Sequence, residues 1–138
     1  MRVPPKRLLG AGLCVAVLLG YGCRGPVTPS VPLGTSFTLA PGGAVRTGGI
    51  RVAFRGVTGD SRCPVDAVCI QGGDAVVGVR LTGAGVVDAD LHTGDASRAA
   101  VVYGGLSIAL EDLQPYPFSG RAIPPDEYRA TLRVTPSS

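Results

Sequence analysis

A chain of 138 residues has room for one domain, and its 21 Gly and 12 Pro, scattered among abundant Val, Leu and Ala, describe frequent turns between short apolar runs. The formal net charge of +3 resides in Arg2, Lys6 and Arg7, because the rest of the chain carries ten Arg against ten Asp and Glu. Near-neutrality beyond residue 7 removes any general attraction to phosphate backbones, so nucleic acid is not an expected partner.

Residues 1–22 read as a signal peptide. Arg2, Lys6 and Arg7 form a positive start, Leu8 to Tyr21 follow without a charge, and small residues precede Cys23. As a helix the apolar run would span only ~21 Å, short of the ~30 Å hydrocarbon core, which disfavours a permanent membrane span. Gly22-Cys23 resembles a bacterial lipobox, although Gly20 stands where that motif usually has Leu. The resemblance implies a lipid on Cys23 and a membrane-anchored lipoprotein of the cell envelope. The alternative is ordinary cleavage near Gly22, releasing a soluble periplasmic or secreted protein. Cys14 follows Leu13 inside the apolar run and is no rival. Residues 23–34 hold several prolines and no periodicity, so they read as an extended tether outside the core.

Residues 35–136 are expected to form an all-β domain. Phe37 and Leu39, then Ile50, Val52 and Phe54, alternate with smaller or polar residues, and so do Val77, Val79 and Leu81. Leu106, Ile108 and Leu110 repeat the pattern, as do Tyr128, Ala130, Leu132 and Val134. Period-two alternation marks half-buried strands. Weaker strands are expected at 86–92 and 99–103, with turns at 41–43, 47–49, 83–85 and 104–105. Seven to eight short strands make a small antiparallel β-sandwich or open barrel. The expected core is Phe37, Leu39, Val52, Phe54, Val77, Val79, Leu81, Leu91, Ile108, Leu110, Leu132 and Val134.

The most distinctive stretch runs from Asp60-Ser61-Arg62-Cys63-Pro64 to Cys69. In an exported domain, Cys63 and Cys69 read most simply as a disulfide. A redox pair and a metal site are the alternatives. Zinc would need four ligands where two cysteines and one His are on offer, and redox dithiols usually follow C-x-x-C. Asp60 can accept backbone N–H groups in the turn, and Arg62 can pair with a carboxylate.

Together with Leu113-Gln114-Pro115-Tyr116-Pro117 and the alternating run from Tyr128 to Val134, this D-S-R-C-P-x4-C motif resembles a family of small bacterial secreted proteins and lipoproteins. Relatives often carry Trp soon after the second cysteine, where this chain has Gln71 and Gly72. The resemblance implies an exported location and a β fold, and carries no activity.

Catalytic chemistry is not expected, and neither is a cofactor or a bound metal. His92, the single histidine, follows Leu91 on a strand and reads as solvent-facing. Asp88 and Asp90 read as the wet face of the same strand and match no calcium loop. Apolar residues outside any strand pattern gather at Tyr116, Phe118 and Ile123. They are expected to fold back as a lid on the core, or else to stand out as a partner surface. The expected role is a non-catalytic binding module, for instance one that docks on an envelope protein. Alternatives are a structural or accessory lipoprotein and, more distantly, a small hydrolase built on Asp88, Asp90 and His92.

Overall fold

The computed structural model describes Gly22 and residues 25–138; the expected signal segment and Cys23 lie outside the described residues. Among the described residues the chain forms eight strands: β1 (Ser36–Leu39), β2 (Ala44–Thr47), β3 (Ile50–Asp60), β4 (Ala75–Thr82), β5 (Val86–His92), β6 (Ala100–Tyr103), β7 (Leu106–Gln114) and β8 (Arg129–Pro136). They make two antiparallel sheets, ordered β2-β3-β4-β5 and β1-β8-β7-β6, that face each other as a sandwich rather than closing into a barrel. Period-two alternation puts Val52, Phe54, Val77, Val79, Leu81 and Leu91 of one sheet against Ile108, Ala130, Leu132 and Val134 of the other, all buried.

The two ends of the sandwich differ in chemistry. At the hairpin end lie the tight turns 48–49, 83–85 and 104–105. Gly48-Gly49 and Gly104-Gly105 have positive φ at both positions, as the two-residue turn that matches strand twist requires. At the loop end lie the longer connections 40–43, 61–74, 93–99 and 115–128.

Three features depart from the expectation. Strand β2 is absent from the sequence reading, because its four residues sit between two turn signals and show only one strongly apolar side chain, Val45. In β7 a bulge between Leu110 and Asp112 changes the phase, so Leu110 is half-buried while Leu113 is fully inside. The segment expected to stay off the core joins it before residue 35. The Val31 N–H donates to Arg46 O and the Arg46 N–H to Pro29 O, both at 2.8 Å, so residues 29–31 run parallel to β2, and Val31 packs on the core.

Candidate functional site

The loop end is organised around Arg62. Strand β3 delivers Asp60 at its last residue, and Arg62 folds back onto it. Arg62 Nε donates to Asp60 Oδ1 at 2.9 Å and Nη2 to Oδ2 at 2.8 Å, a bidentate pair whose side chains are only 10% and 11% exposed. The same guanidinium donates to Leu113 O at 2.7 Å and to Pro115 O at 2.9 Å. Tyr128 Oη donates to Asp60 Oδ2 at 3.0 Å. All three sequence motifs therefore meet in one network. Burial works against ionisation of Asp60, yet bonds from the Arg62 side chain and backbone and from Tyr128 outweigh it and hold the carboxyl below the usual carboxylate range. Burial and the bond to Asp60 push the Tyr128 phenol up.

The Cys63–Cys69 disulfide is formed and closes the loop that follows. That loop is tied sideways to the proline-rich connection between β7 and β8. The Val65 N–H donates to Pro117 O at 2.9 Å, and the Ser119 N–H donates to Asp66 Oδ1 at 2.8 Å. Two connections from opposite sheets thus form one cross-braced surface, and the Gln114–Pro115 peptide within it is cis.

Apolar side chains stand out from this surface. Val68 and Ile70 are fully exposed and Val65 largely so. Of the residues expected to act as lid or partner surface, Tyr116 is 53% and Phe118 55% exposed, whereas Ile123 is half-buried against the core. The lid expectation is corrected: Leu113 and Tyr128 are buried at that end of the core, leaving the two aromatics outside. Tyr116 Oη instead donates to Asp112 Oδ1 at 2.8 Å, beside a cleft of about 230 Å³ bordered by Arg62, Thr93 and Leu113. Val65, Val68 and Ile70 were missed as site residues. The available signal was three branched apolar residues in a Pro-, Gly- and Asp-containing stretch without period two.

His92 is also corrected, from solvent-facing to buried at 5% exposure. It shares the outward face of β5 with Asp88 and Asp90, as alternation requires, but it is the strand's last residue and Asp74 covers it. His92 Nδ1 lies 2.5 Å from Asp74 Oδ2, while Asp74 Oδ1 accepts from the Gly94 N–H at 2.8 Å. Nε2 is buried with no hydrogen-bond partner among the described residues. Partial burial of Asp74 is outweighed by the bonds from His92 and the Gly94 N–H, and its carboxyl lies below the ordinary range. Asp88 is engaged elsewhere, with Arg80 at 2.7 Å and Arg55 at 3.0 Å. Ser97 Oγ donates to Asp95. Among the described residues no group of three or more His, Cys, Asp or Glu side chains is arranged to hold a metal ion. Comparison with family models, curated proteins and solved structures finds no match to this chain.

Proposed function

We propose that the protein is exported, carries a lipid on Cys23, and acts as a non-catalytic binding module whose docking surface is the loop end. The observation that carries this reading is the exposure of Val65, Val68, Ile70, Tyr116 and Phe118 on two loops that are braced to each other and to the core. Exposed apolar groups cost free energy in water, and fixing them in position is what a binding surface requires, because less entropy is then lost on docking. A structural or accessory role would be served as well by a polar end. The shielded Nε2 of the single histidine, and the engagement of Asp88 with two arginines, favour binding over hydrolysis. The disulfide suits an oxidising compartment outside the cytosol. Membership of the family with the D-S-R-C-P motif belongs to the same proposal. Its support is that the motif's Asp60 and Arg62 bind the other two motifs directly, a reason for the three to occur together.

Metabolic labelling with radioactive palmitate tests the anchor: wild type should be labelled and Cys23→Ala should not. Hydrogen exchange tests the docking surface. Amides of residues 64–71 and 116–122 should exchange more slowly in isolated envelopes than in the purified protein. Unchanged exchange there would favour the accessory role.

A further inference from the structure

We infer that strand β6 pairs edge to edge with β6 of a second copy of this chain, joining two β1-β8-β7-β6 sheets into one. The pairing uses a surface separate from the loop end and does not depend on the docking reading given for it.

A strand at the edge of a sheet offers unpaired N–H and C=O groups to any other strand, and folds protect such edges with prolines, charges or a covering segment. Three of the four edges of this sandwich are protected. On β2, residues 29–31 take up the outward N–H and C=O of Arg46. Strand β1 is four residues long and lies between Pro32 and Pro41. Strand β5 carries Asp88 and Asp90, and antiparallel self-pairing about Ala89 would set Asp88 against Asp90 of the second copy. Strand β6 has no such device. Neither a charge nor a proline occurs from Ala99 to Leu110, a span that takes in all of β6. Ala100 and Val102 are exposed, Val102 by 67%.

The hairpin fixes which backbone groups are free. Gly104-Gly105 is a two-residue turn, so Tyr103 and Leu106 exchange ladder bonds, and the Leu110 N–H donates to Ala99 O at 2.8 Å. Alternation gives Val101 to β7 as well and turns the N–H and C=O of Ala100 and Val102 to the open edge. Among the described residues none of those four groups has a hydrogen-bond partner.

This edge is complementary to itself, which names the occupant. Across a two-fold axis at Val101, Ala100 meets Val102 of an antiparallel second copy and Val102 meets Ala100, each pair exchanging both N–H···O=C bonds. On the outward face each Val102 then lies beside the small Ala100 of the other copy, and the two Val101 side chains meet on the inward face. Arg98, the nearest charge, falls opposite Gly104, so no like charges are opposed. Strand β6 runs from the loop end to the hairpin end, so the axis points the two loop ends in opposite directions. Where the loop end docks, the dimer is a two-headed connector. A pair of four-residue strands is small for a specific interface, so the association is reversible and follows concentration.

The test is amide exchange by NMR on the full chain, purified as its host matures it, dilute and then concentrated, with the mass followed by sedimentation. As dimer forms, the amides of Ala100 and Val102 should slow several-fold, while those of Val101 and Tyr103, already bonded to β7, change little. Val102→Pro removes an outward N–H that the β7 ladder does not use, and should leave a monomer at every concentration. Val102→Lys gives the same test should proline lower the melting temperature. Ile70→Glu, at the loop end, should leave the dimer intact. A chain that stays monomeric up to millimolar concentration overturns the inference. A dimer that survives both changes at Val102, or is lost with Ile70→Glu, places the contact elsewhere and also overturns it. Protection of Ala100 and Val102 only when envelope extract is added to a monomeric chain would name a different protein as the occupant and overturn the second copy. The monomer result and the different-protein result leave the loop-end docking surface standing.

Discussion

Replacing Arg62 by alanine removes the brace between the two loops and leaves the Asp60 carboxylate facing a covered site. The pair is about nine-tenths buried, and losing one partner of such a pair costs ~3–5 kcal/mol. One circumstance lowers the expected cost and another raises it. Asp60 keeps the Arg62 backbone N–H at 3.2 Å and Tyr128 Oη at 3.0 Å, so its charge is not stranded. Against this, the carbonyls of Leu113 and Pro115 lose the donor they share, at ~1–3 kcal/mol for each group left unsatisfied and less where water can enter. The net expectation is a loss of about 3 kcal/mol in urea unfolding, seen as a lower midpoint at constant slope. Arg62→Lys should recover little, since an ammonium cannot reach Asp60 in bidentate fashion and both carbonyls as well. Combining Arg62→Ala with Asp60→Ala should cost less than the sum of the single changes. A loss below ~1 kcal/mol for Arg62→Ala, or strict additivity in the double variant, would refute the network as the brace of the loop end.

Removing the disulfide with Cys63→Ser and Cys69→Ser should lower stability by about 2.4 kcal/mol, the chain-entropy value for a seven-residue loop, without unfolding the sandwich at room temperature; calorimetry checks both. Tyr116→Ala with Phe118→Ala should stay within about 1 kcal/mol of wild type in denaturant unfolding, because both side chains are half exposed, and a loss of several kcal/mol would restore them as a lid. Asp60 and Asp74 have folded pKa values below their unfolded range near 3.9, so their contribution is complete above that range and is lost as pH falls through the lower folded values. Acid unfolding followed by circular dichroism should therefore be shallower at pH below about 4 in Asp60→Asn and Asp74→Asn than in wild type.

Much of the sandwich was legible because alternation survives in a single sequence wherever a strand is long and regular. Strands β3, β4 and β8 declared themselves by residues such as Val52 and Phe54, Val77 and Val79, and Leu132 and Val134. What failed was local and has a cause. A one-residue bulge at Glu111 leaves no mark in composition, so the phase after Leu110 was misread and Leu113 was missed from the core. Strand β2 is too short to show a period. In the candidate site, spacing indicated the disulfide and the roles of Asp60 and Arg62, because their partners lie two residues apart. Spacing could not reveal that Leu113, Pro115 and Tyr128 complete the network, since those contacts span more than fifty residues. His92 shows the same limit. Alternation gave its face correctly, while its burial depends on Asp74, eighteen residues away at the entry to the neighbouring strand β4.

Docking through one end of the sandwich is tested most directly by photocrosslinking in intact envelopes. A photoreactive side chain replaces Val68 at the loop end or Val86 at the hairpin end, two exposed valines at opposite ends of the molecule. The account predicts an adduct from position 68 in high yield and little from position 86. Equal yields from the two positions, or none from position 68 in correctly localised protein, would contradict it.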